Sequence, residues 1–474
     1  MSGVLPPNWT VTMLSEVADW SSGGTPKATE AKYYNGDIPW LVIMDLNNEI
    51  VTKSAKKITQ LGLENSSAKW VDIGSVMVAM YGSIGKLGIA GIKCTTNQAI
   101  AFTTRIWGAI PNKYIFYYLQ YNAPELLKIG QGGAQKNISQ SILKMFPFLL
   151  PPLNEQKRIV AKLDAIMPRI DSAKKRLEKI PAILKRFRQS VLTAAVTGKL
   201  TEKWREEHPG MAEWEDMILH DVISNNGIFD GPFGSNIKTS DYVDSGVRVI
   251  RLENIEHLEF LEEKAAYISD EKYETLLKHT VNEGDIIFSS FISERLRACI
   301  LPQLTTKAIA KADCFCIRVN AEKSIAKFLL LALVSFDSYK KLIDQVHGAT
   351  RPRVNLTQLK RLLLSIPPFD EQKEIVRQVD KLFALADKVE EHYQKARVQV
   401  DALAQSVLAK AFRGELVPED PDDEPAEKLL QRIQEEKAKM ENELKTVSRS
   451  ARGTRRNGTK TQRAGAEEKQ AGEP

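Results

Sequence analysis

Cysteine and histidine are scarce in this chain. Four cysteines (Cys94, Cys299, Cys314, Cys316) and six histidines are spread over 474 residues. The cysteines lack metal-ligand spacing, and a disulfide framework does not suit so long a chain, so a reducing cytoplasm fits best. The histidines (His208, His220, His257, His279, His347, His392) stand singly, as surface or core residues do. No apolar run approaches the ~20 residues that span a bilayer, and Met1-Ser2-Gly3-Val4-Leu5-Pro6-Pro7 lacks a basic-then-apolar signal layout. Catalytic signatures are missing as well: there is no HExxH, no nucleophile elbow and no GxGxxG turn. Gly82-Ser83-Ile84-Gly85-Lys86-Leu87 faintly resembles a phosphate loop. Met80 stands where its first glycine belongs, however, and Leu87 where Ser or Thr would hold magnesium. The chain reads as non-catalytic, with no membrane span and no cofactor or metal site of its own.

What is present is a repeat. Pro151-Pro152-Leu153-Asn154-Glu155-Gln156-Lys157 opens a helical pattern that ends at Gly198-Lys199-Leu200. It returns 216 positions later as Pro367-Pro368-Phe369-Asp370-Glu371-Gln372-Lys373, ending at Gly414-Glu415-Leu416, with roughly a third of positions identical. Both copies carry a 4-3 apolar seam. It runs Ile159, Leu163, Ile166, Ile170, Ala173, Leu177, Ile180, Leu184, Phe187, Val191 in the first copy. In the second it runs Ile375, Val379, Leu382, Ala386, Val389, Tyr393, Ala396, Val400, Leu403, Val407. Two such seams pair most simply with each other, and connectivity makes the pair antiparallel. At ~1.5 Å per residue each helix spans at most about 70 Å, a spacer of fixed length. Pro168 and Pro181 fall inside the first copy only, so that helix is expected to kink or break briefly. Glu155-Gln156 and Glu371-Gln372 read either as a site or as helix N-terminal electrostatics and capping; their place after Pro-Pro favours the second.

The expected fold class is α+β: two mixed α/β domains separated by two long antiparallel coiled-coil helices, in a pseudo-two-fold internal repeat. The first domain covers residues 1–150, with buried strands at Trp40–Met44 and Val76–Tyr81 and a helix from Ile115. The first helix and its exit cover 151–207, the second domain 208–366 and the second helix 367–416. Trp9–Val17 matches Trp214–Val222, and Gly74–Val78 matches Gly284–Phe288. An acidic linker and a charged amphipathic helix, with Leu429, Leu430, Ile433, Met440 and Leu444 near one face, fill 417–447. The basic stretch 448–474 has a disordered composition, and either grazes DNA phosphates or remains a solvated end.

With catalysis set aside, the polar and basic turns carry the chemistry. The formal net charge of +6 permits a polyanionic partner. Gln, Asn, Arg and Lys read base edges, while Ser, Thr and backbone amides hold phosphates. Such side chains recur in the turns of both domains, which points to a shared ligand surface. The candidates in the first domain are Thr25, Lys27, Lys56, Lys57, Tyr81, Ser83, Lys86, Gln135, Lys136 and Asn137. Those in the second are Ser235, Asn236, Lys238, Ser290, Arg295, Arg297, Arg351 and Arg353. A coiled-coil scaffold with two protein-binding domains, and no sequence-specific DNA contact, is the alternative.

At Pro-Pro-x-x-Glu-Gln-Lys and the helix after it, the chain resembles the specificity subunits of type I restriction-modification enzymes. Ile183 through Leu192, and Gly198-Lys199-Leu200-Thr201-Glu202-Lys203-Trp204, look like the enterobacterial group in particular. The first domain matches that family's recognition pattern at Ser22-Gly23-Gly24-Thr25-Pro26, Gly36-Asp37-Ile38-Pro39-Trp40, Gly62-Leu63, Ser66 and Tyr81-Gly82-Ser83-Ile84-Gly85-Lys86. The second departs from it, with Phe288-Ser289-Ser290-Phe291 in place of the Tyr-Gly-Ser loop. The resemblance, over residues 1 to about 445, implies two target recognition domains that each read half of a split double-stranded DNA sequence, with the helices as ruler and docking site. It also implies two modification subunits using S-adenosylmethionine to methylate adenine, and two restriction subunits using ATP and Mg2+. The catalysis would then belong to the partners.

Overall fold

The computed structural model describes residues 5–130, 137–233, 236–346, 352–443 and 445. The chain divides into two units, Met1–Lys175 with Arg397–Pro474, and Arg176–Ala396. Each is a mixed α/β body. In the first, strand Thr10–Met13 runs antiparallel to Pro147–Leu150, so the globular part begins and ends side by side. The second repeats this with Glu215–Ile218 against Leu363–Ile366. Pro-Pro follows each closing strand. Proline has no N–H to extend a ladder but suits the start of a helix, and the helices Leu153–Leu177 and Phe369–Phe412 begin there.

Each helix start is bolted to its globular part. Trp9, just before the opening strand, donates its indole N–H to Glu155 Oε2 at 3.0 Å, and Trp214 donates to Glu371 Oε2 at 2.9 Å. Glu371 also accepts from Thr201 Oγ1 at 2.7 Å and from Arg205 at 2.5 Å. Gln156 and Gln372 donate to the carbonyls of Pro151 and Pro367, both at 2.9 Å. Glu155, Glu371 and Gln372, which also accepts from Ser324 and Ile325, therefore hold tertiary contacts, while Gln156 bonds locally at the helix start.

The sheets repeat as well. The first unit orders its main sheet Ala18–Ser22, Ile100–Ile106, Val76–Ala79, Leu87–Ala90, Glu49–Val51. The second orders its sheet Ile223–Phe229, Cys314–Val319, Ile286–Ser289, Ala298–Ile300. Val76–Ala79 and Ile286–Ser289 are buried throughout, which explains their unbroken apolar runs. A second sheet in each unit holds a parallel pair, Trp40–Leu41 beside Thr95–Thr96 and Arg248–Ile250 beside Ala308–Ala310. The strand expected over Trp40–Met44 stops at Leu41, and Met44 is 82% exposed. Asp45 Oδ2 accepts the Val42 N–H at 2.8 Å, offering that backbone a turn in place of a ladder. The expected helix from Ile115 belongs to Asn112–Tyr121.

The first long helix is interrupted at Glu178–Lys179, and Pro181 sits in the first turn of the helix Ile180–Val196 that follows. Pro168 is accommodated within Leu153–Leu177. The second copy, without prolines, is one helix of 44 residues. Within the first unit Lys174 pairs with Asp401 at 2.7 Å; within the second Arg188 meets Asp387 and Glu390, both at 2.8 Å. Burial follows the seam imperfectly. Met167 is buried while Ile166 is half-buried, and Leu403 is 51% exposed beside buried Ala404, Val407 and Leu408. A helix of 3.6 residues per turn drifts ~20° per heptad against a 3.5 repeat, and here Met167, Ala404, Val407 and Leu408 all join the core of the globular part that opens the chain.

Residues 426–443 are helical and lie on the first unit, against the globular part that opens the chain. Leu429 and Ile433 are fully buried, and a side chain at Gly108 (φ +62°) would come within 2.5 Å of Ile433. Lys437 donates to the Ser15 carbonyl at 2.9 Å, and Arg158 of the long helix meets Asp423 of the acidic linker at 2.6 Å. Leu444 of the expected apolar face lies outside the described residues. Among the described residues no helix is long and apolar enough to cross a membrane.

Two stability predictions come from these contacts. Ile433→Ala removes a fully buried side chain and should cost about 2–4 kcal/mol in the first unit, read from denaturant unfolding. Burial raises the Glu155 carboxyl above its ordinary value, and Oε1 has no hydrogen-bond partner among the described residues. Its contribution to stability is greatest at low pH and falls as pH rises. Glu155→Gln should therefore match or exceed the parent's melting temperature at pH 7.5. Glu371→Gln, which disturbs three donors, should lose about 1–3 kcal/mol.

Candidate nucleic-acid interface

In the first unit, three turns are tied together at one end of the main sheet. Strand Ala18–Ser22 runs into Gly23-Gly24, where a side chain at Gly23 would lie 2.0 Å from the Thr96 carbonyl oxygen; only glycine permits this approach. Thr25 Oγ1 then hydrogen-bonds Gln98, in the turn after strand Cys94–Thr96. The loop 81–86 joins two antiparallel strands, with Gly82 and Gly85 at positive φ and Ile84 buried beneath it. A phosphate loop leads from strand to helix, so this hairpin is not one. Met80 N–H donates to Ala99 O at 2.8 Å and Met80 O accepts from Ile138 N–H at 3.0 Å, while Tyr81 bridges to Asn137.

The second unit builds the same frame from other residues. Gly231 abuts Lys311 as Gly23 abuts Thr96. Ser290 N–H donates to Asp313 O at 2.9 Å, Ser290 O accepts from Val354 N–H at 2.9 Å, and Phe291 bridges to Arg353. These bonds equate Met80 with Ser290, Tyr81 with Phe291, Ala99 with Asp313 and Asn137 with Arg353. Asp313 holds φ +69°, an uncommon backbone for a non-glycine residue. Its carboxylate accepts from Ser290 Oγ at 2.9 Å and faces Arg353 at 3.3 Å, and its N–H donates to Asp230 Oδ1 at 2.9 Å. Burial, and secondarily the Asp313 charge, raise the Asp230 carboxyl to about 6 against two backbone N–H donors and Arg353, which lower it.

The expected site residues divide by this geometry. Thr25, Tyr81 and Asn137 come together, as do Ser290 and Arg353. Ser83 is exposed and Lys86 half-buried on the same hairpin as Tyr81. Lys27 is exposed beyond the glycine turn, and Lys56 and Lys57 are exposed at strand Lys57–Ile58, two places from Cys94–Thr96 in sheet order. Asn236 is exposed near Phe233, and the Lys238 N–H donates to Asp241 at 2.7 Å, leaving its side chain exposed. Ser290 is buried, its hydroxyl used by Asp313. Arg297 donates to the Leu252 and Ile255 carbonyls at 3.4 and 3.3 Å, bracing its own loop. Arg295 pairs with Glu256 at 2.9 Å. Gln135, Lys136, Ser235 and Arg351 lie outside the described residues. Sequence reasoning missed Gln98, Asp230, Phe291 and Asp313 as members of these clusters. Thr95-Thr96-Asn97-Gln98 carries a turn signal, whereas nothing local marks Asp313. Among the described residues no three metal-ligating side chains come together.

The two frames have counterparts elsewhere. The family described as "Type I restriction modification DNA specificity domain" matches twice, at residues 6–182 and 213–398, each match taking in a globular part and the first stretch of its long helix. The Type I restriction enzyme EcoKI specificity subunit of Escherichia coli (strain K12) is 29% identical over 466 residues, covering 92% of this chain and 97% of that protein. The EcoBI specificity subunit of Escherichia coli is 30% identical over 463 residues, covering 91% and 93%. A solved chain from a type I R-M system shares the fold with a TM-score of 0.65 at 17% identity, covering 87% of this chain and all of that one. The HsdS subunit from Thermoanaerobacter tengcongensis gives 0.51 at 17% identity, covering 88% and 99%.

Asp230 supplies a pH test. Its folded value of about 6 lies above the ordinary carboxylate value, so its stabilisation is complete below about pH 4 and lost as pH rises through 6. Asp230→Asn keeps Oδ1 as the acceptor for both N–H groups. It should melt a few degrees higher than the parent at pH 7.5, with the gap closing near pH 4 in a thermal scan.

Proposed function

The chain belongs to the type I restriction-modification DNA specificity family, and from that membership we propose that it is the subunit that selects the DNA sequence on which its complex acts. Each globular part, 1–150 and 208–366, reads one half of a bipartite double-stranded target. The long helices, 151–207 and 367–416, set the gap between the halves and dock the partners. Those partners are two modification subunits, which use S-adenosylmethionine to methylate adenine, and two restriction subunits, which use ATP and Mg2+ to translocate and cut. The chain itself carries no catalytic step and works in the cytoplasm.

One observation carries the reading: both globular parts hold the same three-turn frame but present different side chains on it, Tyr81 and Asn137 in one, Phe291 and Arg353 in the other. A common frame with unlike reading groups is what recognition of two unlike half-sites calls for. Phosphate contacts give any such subunit a steep fall of affinity with salt, while base contacts give it sequence.

The test is to express the chain with its modification subunits and map methylated adenines across a genome. A two-part motif with a fixed gap is expected, and exchanging residues 1–150 for those of a relative should rewrite one half of it and leave the other. A motif that changes in both halves, or DNA binding indifferent to salt, would count against the reading.

A further inference from the structure

The equivalent positions Asn137 and Arg353 stand out by what surrounds them. Each pairs across a bridge with the aromatic residue that opens its loop, Tyr81 or Phe291. The Arg353 guanidinium lies 4.2 Å from the Phe291 ring centre and 3.3 Å from Asp313 Oδ2, yet the side chain is 56% exposed. Stacking on one face and a carboxylate on one edge fix the plane of a group that is otherwise free to swing. A guanidinium can also fork two oxygens of a phosphate, but a neighbouring carboxylate weakens it there by offsetting the charge on which that contact depends. Asp313 stands beside Arg353 in this way. The oriented plane with its charge partly offset suits a partner that offers two neutral acceptors side by side, as a base edge does. Asn137, exposed on the equivalent bridge, has no charge to offer a phosphate but carries a donor and an acceptor side by side.

We propose that Asn137 and Arg353 are base-reading positions: the Arg353 fork takes the O6 and N7 acceptors of a guanine in one half-site, and the Asn137 amide takes the N6 and N7 edge of an adenine in the other. This rests on the DNA-reading role proposed above. Asp313 and Phe291 are positioning residues that hold the fork.

The experiment uses the full chain expressed with its modification subunits, with methylated motifs mapped for the parent, Arg353→Lys, Arg353→Gln and Asn137→Ala. Lysine keeps the charge but loses the fork. Both Arg353 variants should relax one base position in one half-site, with discrimination there falling on the order of tenfold to a hundredfold, and leave the other half-site and the gap intact. Asn137→Ala should relax one position in the opposite half. An Arg353→Lys variant that keeps the parent motif overturns the proposal. So does an unchanged motif with uniformly weaker binding and a salt slope reduced by about one, the mark of a phosphate contact. In either case the parent's bipartite motif still stands, whereas a parent that methylates no two-part motif would sink the underlying role itself.

Discussion

A carboxylate buried in the first turn of each long helix, held by the indole of the tryptophan that opens the preceding globular part, is the contact from which the rest is built. A buried carboxylate is costly unless it is paired, so Glu155 and Glu371 tolerate few arrangements of what surrounds them. The tie fixes where each helix leaves its sheet. It also brings the first and last strands of each globular part together, and the tryptophan lies at the head of that pair. Everything on the helix and everything on the sheet is thereby referred to one corner. Glu371 meets this demand with an indole, a hydroxyl and a guanidinium, Glu155 with an indole alone, so the two copies share the device but not its strength.

The far end of each main sheet uses the opposite strategy. There the backbone is held by carbonyl and amide pairs, Met80 with Ala99 and Ile138, Ser290 with Asp313 and Val354. Because main-chain groups hold the frame, the side chains at Tyr81, Asn137, Phe291 and Arg353 are able to differ between the units. A carboxylate lock at the helix keeps the body, and a main-chain frame lets the side chains carried on it vary. Not every polar group at that end is released. The side chains of Ser290 and Arg297 hydrogen-bond within their own unit and brace the loop.

Much of the frame was legible in the chain because it is written in local periodicity. The Pro-Pro starts, the 4-3 seams and the proline interruption all follow from helix geometry over neighbouring residues, and the buried runs Val76–Ala79 and Ile286–Ser289 follow from burial on both faces. The seam was legible only on average. Leu403 and Ile166 fit the heptad, yet in the first unit both helices turn toward the globular part that opens the chain and bury Leu408 and Met167 in their place. The strand at Trp40 ended sooner than its apolar run, since the Asp45 carboxylate competes for the backbone. The helix at 426–443 was legible as amphipathic, but nothing in its own residues named Gly108 as the surface it covers.

The sequence by itself determined the repeated plan, the two long helices and their break, and the family, because each is carried by spacing along the chain. Only the tertiary structure decided which of those residues stand together. It joined Trp9 to Glu155, folded the acidic linker onto Arg158, withdrew Ser290 into the loop's own bonding and braced Arg353 between Phe291 and Asp313. The reason is physical. A helical or strand period relates residues a few positions apart, whereas a bridge such as Phe291 to Arg353 depends on where two distant turns end, and that is fixed by the packing of the whole unit.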